Sequence, residues 1–444
     1  MRHDGVIGVR ISERRIARGF KGSLSPRVCD LLDIAGAVYR QDRLERRERP
    51  RRRTFGGSQQ RELMVEVAVR DPEFWRDSPA DQQLRDALDW LTGDRWQFTF
   101  VRFTGERSPA EREQQLLSEV MDAGGQIALF SGGLDALAGA SMLLEHDPAC
   151  RLVAIGTNPR QIRCQVTLMR ELRRLAPGLV AIPIHAGLTG ATRATQERSQ
   201  RSRAFLFLTI AIAAAHAGGA ETINMCENGI GAMNLPYSER QIGVDTSRAA
   251  HPETLYRMSV LAETVLERAI VVRNPLFSFT KAEACRALPA EWLPLVSMTV
   301  SCDIGFTDRR KGPSLCGVCS SCLLRRHALH AAGLRDIDLA EPYRFDLLRG
   351  GDAADAEAFR AMHAQAARLS GAFTSWPALL AAFPDVERVS AGLLRAGVAR
   401  SDLQAEATII RLLAAYVGEW QHFPARAGEA VQPAEAPLAL SEAV

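Results

Sequence analysis

Residues Gln126 to Asp147 read QIALFSGGLDALAGASMLLEHD, and the passage from Leu129 into Leu134 decides the fold. A short apolar strand, Ile127 to Phe130, runs into Ser131-Gly132-Gly133-Leu134-Asp135, and an apolar helix starts at once. Two glycines let the backbone turn with its N–H groups pointing inward, and a helix start carries partial positive charge. Together they favour an anion such as pyrophosphate, to which Ser131 adds a hydroxyl donor. A plain strand-to-helix turn accounts for the glycines and for Asp135 as a first-turn acid. It gives no reason for Ser131, so the stretch predicts a phosphate cradle.

Working outward, the apolar runs "IALF", "RLVAIGT", "LVAIPIH" and "TINMCEN" are separated by helical stretches between about 115 and 335. Short apolar strands alternating with helices predict an α/β fold, a doubly wound parallel sheet covered on both faces. Such sheets take ligands beyond the carboxyl ends of their strands. The candidates there are Ser131 to Asp135, Thr157 and Asn158, His185, and Glu227-Asn228-Gly229, with Asn234 on the loop beyond. His185 and His251 are lone histidines and read as structural.

The flanks read differently. "VIGVRIS", "RELMVEVAVR" and "WQFTFVRF" alternate like strands, while "RVCDLLDIAGAVYR" and "QQLRDALDWL" repeat like helices. We therefore expect a mixed α+β N-terminal domain over 1–112, the sheet domain over 113–335, a helical C-terminal region over 336–424, and a disordered tail over 425–444. The run from Arg40 to Arg53 mixes Glu with Arg around a Pro and reads as a solvated loop.

Composition narrows the function classes. The chain has 444 residues, 46% of them hydrophobic, and a formal net charge of +3. That near-neutral balance lacks the footprint of a nucleic-acid binder, so nucleic acid is not expected as the primary partner. The longest apolar segment, Ala204 to Ala217, is too short to span a bilayer, and no secretory leader is evident, so a cytoplasmic protein without a membrane partner is expected. Lysine occurs only at 21, 281 and 311 in an arginine-rich chain, which singles out Lys281. In "NPLFSFTKAEA" Thr280 and Glu283 fit a helix capping box, but that reading leaves Lys281 unexplained, and a phosphate or acyl-adenylate contact would explain it.

Of the 9 cysteines, Cys316, Cys319 and Cys322 lie in "LCGVCSSCLLRR", with Cys302 upstream. Overlapping Cys-x-x-Cys spacings place three sulfurs around one turn and a fourth completes a tetrahedral set, as structural zinc requires. An iron–sulfur cluster is the rival on ligand type.

These residues carry a resemblance. Ser131-Gly132-Gly133-Leu134-Asp135 resembles the SGGxDS loop of the PP-loop ATP pyrophosphatases, which split ATP to AMP and pyrophosphate by adenylating a substrate. Ala136 departs from the usual Ser, removing one hydroxyl donor. The order of loop, Pro-Leu-x-x-x-Thr-Lys-x-Glu, "SMTVSCDIG" and Cys-Gly-x-Cys-x-x-Cys is similar to the 7-cyano-7-deazaguanine synthase family over about 125–332. The flanking extensions, and the loss of that family's Tyr-Pro-Asp-Cys-Arg segment near "AAHPETLYRM", resemble the queuosine-synthase-like component of Qat anti-phage defence systems.

The resemblance implies a PP-loop core of the HUP-like kind that binds ATP and Mg2+ through Ser131, Gly132, Gly133, Leu134, Asp135 and Ala136, with Thr157 and Asn158 beside them. It implies Zn2+ on Cys302, Cys316, Cys319 and Cys322. Asp135, Lys281 and Arg203 would be catalytic, and Arg201, Glu227, Asn228, Gly229, Asn234 and Glu253 would bind substrate. The implied reaction is adenylation of a 7-deazaguanine carboxylic acid followed by attack of ammonia or a protein amine, with partner proteins from a defence operon and self-association left open. Two other readings stand beside it: a tRNA-thiolating enzyme using a nucleophile such as Cys226, and an inactive ATP-binding scaffold.

Overall fold

The computed structural model describes residues 7–47, 60–106, 111, 125–190, 196–197, 201–237, 248–303, 315–341, 343–347, 357–421 and 423. The expected tail at 425–444 and the distal part of the Arg40–Arg53 run lie outside them. Among the described residues the strands are β1 (Gly8–Ile11), β2 (Glu62–Val69), β3 (Arg95–Arg102), β4 (Gln126–Leu129), β5 (Arg151–Gly156), β6 (Ala181–Thr189), β7 (Thr222–Met225) and β8 (Val271–Arg273).

Six of them form the central sheet in the order β1-β6-β5-β4-β7-β8. From β4 the chain moves outward through β5 to β6, then crosses back to β7 and β8 on the other side, with every pair from β6 to β8 parallel. Strand order thus reverses at β4. The crevice beyond its carboxyl end is where a doubly wound sheet takes its ligand.

The crossover from β6 to β7 uses the helix Arg203–Gly218, apolar on all sides because it is covered on all sides. Phe205, Leu206, Leu208, Ile210 and Ile212 have no exposed surface. Each such side chain stabilises the fold by about 1.5–3 kcal/mol relative to an exposed one. The helix lies between the sheet and the N-terminal helix Pro26–Leu44.

The N-terminal segment reaches into this sheet. β1 pairs antiparallel with β6, Gly8 opposite Thr189 and Ile11 opposite Ala186. Alternation in "VIGVRIS" signals a strand, but nothing local signals a partner so far along the chain. β2 and β3 form a separate parallel pair whose Leu63, Val65, Val67 and Val69 are buried, toward the helix Pro26–Leu44, while Met64 on the other face is 71% exposed. The C-terminal helices Glu357–Ala372, Trp376–Ala382, Val386–Arg395 and Asp402–Trp420 share an apolar cluster with Met233, Phe277, Leu323 and Leu324 of the sheet domain. They are packed onto the core. No helix of the described residues is long and apolar enough to cross a membrane.

Candidate active site and metal centre

The turn after β4 is built as the glycines require. Gly132 has φ of +81°, a conformation side-chain-bearing residues rarely adopt. A Cβ at Gly133 would stand 3.4 Å from Ser131 Oγ and 3.5 Å from Ser301 Oγ, covering two hydroxyls at the mouth of the turn. The Gly133 N–H donates to Ser131 Oγ at 3.3 Å and the Leu134 N–H to Ser301 Oγ at 3.1 Å. Hydroxyls and glycine backbone converge here with no side chain in the way, which fits an anion bearing several oxygens.

Beneath the turn lies Gln165, with no exposed surface. Its amide donates to the carbonyls of Phe130 at 3.3 Å, Ser131 at 3.1 Å and Ile155 at 3.0 Å, joining the ends of β4 and β5. A lone glutamine in a helix has no sequence signature, so nothing in the sequence singles out Gln165.

The chemistry gathers on the first turn of the helix Leu134–His146. Asp135 and Lys281, 8% and 6% exposed, form an ion pair. Asn228, itself buried, donates to Asp135 Oδ1 at 3.3 Å and to Glu227 Oε1 at 2.9 Å. Its carbonyl accepts from the Gly231 N–H at 3.1 Å, capping the short helix Gly229–Met233. Asn274 fixes the strand end that carries Glu227, donating to the Glu227 carbonyl at 2.7 Å and accepting from its N–H at 3.2 Å.

One buried cation thus faces two acids, Asp135 buried and Glu227 partly buried. Burial alone would lower the Lys281 pKa, but Asp135 and Glu227 outweigh it and the pKa is raised. Glu227 is the acid left over. Burial first, then the Asp135 charge, push its carboxyl up to about 8 against the pull of Lys281.

The remaining predicted residues divide. Thr157 and Asn158 are at the end of β5, next to the turn; the Thr157 N–H donates to Gln161 Oε1 at 3.1 Å, and Asn158 caps the helix Pro159–Leu175 by accepting from the Gln161 N–H at 3.0 Å. Asn234 ends the helix Gly229–Met233 with φ of +52°. Arg203 opens the Arg203–Gly218 helix exposed, its guanidinium 5.9 Å over the Phe207 ring, and no described contact joins it to Asp135 or Lys281. Arg201 donates to the Thr92 carbonyl at 2.9 Å, toward the N-terminal segment. The Glu253 carboxylate is ion-paired with Arg257 at 2.6 Å and Arg395 at 3.0 Å. The structure gathers Ser131 to Ala136, Glu227, Asn228 and Lys281; it engages Arg201 and Glu253 elsewhere. His251 is structural, accepting from the Glu253 N–H at 3.1 Å, with its pKa lowered to about 3 by burial and then by Arg248, Arg388 and Arg395.

Behind the turn are Cys302, Cys316, Cys319 and Cys322, whose sulfurs all lie within 4.8 Å of one another. Four thiolates around one zinc ion at about 2.3 Å would be separated by about 3.8 Å. Cys316 and Cys322 are 3.9 Å apart, and Cys302 and Cys319 4.0 Å. A cubane cluster interposed between them would hold the sulfurs farther apart. Backbone N–H groups of Cys316, Cys319 and Cys322 point at the sulfurs of Cys302, Cys316 and Cys319, at 3.3–3.4 Å, as suits thiolates. Gly317, at φ of +85°, makes the knuckle. The group fits zinc, which would cross-link the segments that carry the four residues. It is tied to the turn, because Ser301 adjoins Cys302 and the Val300 N–H donates to the Gly132 carbonyl at 3.0 Å.

Fold and site together define an α/β domain of the doubly wound kind, with a glycine turn at its switch point and a four-thiol knuckle braced against it. Residues 192–333 match the family model described as Queuosine biosynthesis protein QueC. The chain is also similar to the 7-cyano-7-deazaguanine synthase of Methylococcus capsulatus, 27% identical over 234 residues that cover 47% of this chain and 96% of that one. The family match takes in Glu227, Lys281 and the cysteines. The turn at Ser131 to Ala136 precedes it and rests on its own geometry.

Proposed function

We propose that this protein uses ATP to activate the carboxylate of a 7-deazaguanine acid and passes the acyl group to an amine. The observation that carries the reading is the buried pair between Lys281 and Asp135, the latter on the helix that leaves the glycine turn. An ammonium beside a phosphate-shaped turn is where charge shifts when an α-phosphate is attacked. A substrate carboxylate oxygen would form a bond to the α-phosphorus as pyrophosphate leaves, giving an acyl-adenylate. An amine nitrogen would then bond to the acyl carbon as AMP leaves, releasing a proton.

In this scheme the turn holds the pyrophosphate, Lys281 offsets charge at the phosphates, and Asn228 orients Asp135. Asp135 and Glu227 are the carboxylates that would hold a magnesium ion, whose chemistry is to neutralise the phosphates. The thiolation alternative has less support. Burial, then the Cys150 thiol and the Asp135 and Glu227 carboxylates, push the Cys226 thiol up, the reverse of what a nucleophile needs.

The setting we infer is anti-phage defence with a protein amine as acceptor, on the resemblance of the extended chain to such components. Incubation with ATP, magnesium, 7-carboxy-7-deazaguanine and ammonium should release AMP and pyrophosphate; ADP, or no turnover, would refute the proposal. Mass spectrometry of co-expressed operon partners should find a covalent deazaguanine adduct. Its absence beside confirmed AMP release would restrict the acceptor to ammonia.

A further inference from the structure

The C-terminal helices have no part in the chemistry above, yet one of them holds the segment that carries Lys281. Lys281 opens a helix of six residues, Lys281–Arg286. So short a helix has little stability of its own, and its start is set by its cap. The cap is Thr280, with no exposed surface. Its Oγ1 accepts from the Glu283 N–H at 3.1 Å, and Glu283 returns the bond by accepting from the Thr280 N–H at 2.8 Å.

A threonine hydroxyl rotates, and it caps well only when its proton is aimed elsewhere. The Thr280 hydroxyl donates to Glu419 Oε1, from the last turn of the helix Asp402–Trp420. Glu419 is 6% exposed. The same helix donates from Arg411 to the Ser278 carbonyl and, at 2.7 Å, to Glu283 Oε1. Its Leu412 presses on Gly229, where a Cβ would stand 2.3 Å from Leu412 Cδ2. One helix therefore bears on both segments that flank the buried pair, the one before Lys281 and the one after Asn228.

We propose that Glu419 is a positioning residue for Lys281, fixing through Thr280 the helix start that aims the ammonium at Asp135. The inference rests on reading that pair as the active site. On this account the C-terminal helical region is part of the catalytic apparatus without touching substrate. Glu419 is a different position from any that the spacing of motifs could indicate, since 139 residues separate it from Thr280.

Amide hydrogen exchange on the full chain tests this without turnover. In Glu419→Ala the amides of residues 281–286 should exchange about ten-fold faster, the scale of one lost hydrogen bond, while those of Leu134–His146 keep their rate. Glu419→Gln, whose amide oxygen still accepts, should restore protection. Where AMP formation is measurable, Glu419→Ala should lower kcat about ten-fold with KM for ATP within about two-fold, and Gln should rescue it. Unchanged exchange at 281–286, loosening spread evenly over the chain, or a Gln variant as impaired as Ala would overturn the proposal. Should Glu419→Ala not fold, Arg411→Met, at a half-exposed position, should loosen the same six residues, and no local effect there would overturn it. If the wild-type protein forms no AMP, the activity reading fails while the exchange result still decides whether Glu419 positions Lys281.

Discussion

Lys281 and Asp135 meet in a buried ion pair although 146 residues separate them in the chain. Glu227 stands close enough for its charge to be felt by both. The balance of one cation and two acids makes the partners unequal. Lys281→Met leaves the buried Asp135 and the partly buried Glu227 with no cation and should cost about 3–5 kcal/mol of stability. Asp135→Asn leaves Glu227 to pair with Lys281 and should cost less than half as much. Urea unfolding of both variants checks the order, and a reversed order would contradict the charge balance.

Both substitutions should also abolish pyrophosphate release, by about a hundred-fold or more, because each removes a charge that acts where phosphates react. A coupled assay for pyrophosphate reads this directly. Cellular function that survives in Asp135→Asn, although pyrophosphate release is lost, would instead favour the scaffold reading.

Glu227 gives the protein a specific pH dependence. Its carboxyl titrates near 4.5 when unfolded and at about 8 in the folded chain. The unfolded chain therefore loses this proton first, and stability falls as pH rises from about 4.5 to about 8, by up to about 1.4 kcal/mol per unit. Below that window the contribution is fully present. Glu227→Gln should flatten the slope, making the variant more stable than wild type at pH 8, as denaturant midpoints at pH 5, 6, 7 and 8 would show.

Metal content supplies the next expectation. The wild-type chain should carry one zinc ion, and Cys316→Ser should lose it with a fall in melting temperature of roughly 5–10 °C. Because Val300 and Ser301 hold the glycine turn from the same segment as Cys302, metal loss should weaken ATP binding as well. Elemental analysis with calorimetric titration checks both. Full ATP affinity in the metal-free protein would separate the two sites.

Ala136 is 4% exposed and lies in the apolar cluster below the turn. Ala136→Ser restores the hydroxyl of the loop pattern and should raise AMP formation up to about ten-fold, at about 1 kcal/mol of stability for burying the group. Initial rates and melting temperatures of the pair of proteins decide it. An unchanged rate would mean the backbone cradle suffices.

Much of this was legible in the chain because it is local. The glycine turn, the cysteine spacing and the Thr280 capping box each lie within a few residues, where stereochemistry leaves few alternatives. Gln165, Asn274, Ser301 and Glu419 were not legible. Their partners lie far along the chain, and an Asn, Gln, Ser or Glu in a helix or loop is ordinary until the fold brings a second group to it. Arg201 and Glu253 show the converse. They are polar residues at helix starts near the right edge of the sheet, yet their charges are engaged with Thr92 and with Arg257 and Arg395. The antiparallel β1–β6 pairing escaped for the same reason, since four alternating residues name a strand but not its neighbour.

Gly139 sits one turn below Asp135, so close to the end of β7 that a Cβ there would stand 2.3 Å from Cys226 Sγ. It would stand 2.4 Å from Cys226 Cβ as well, so a methyl group fits at 139 only if residue 226 gives up its whole side chain or the backbone moves. As relatives of this chain drift apart, these two positions should change together or not at all, and a larger residue at 139 with Cys retained at 226 should mark a lineage whose phosphate turn has already moved.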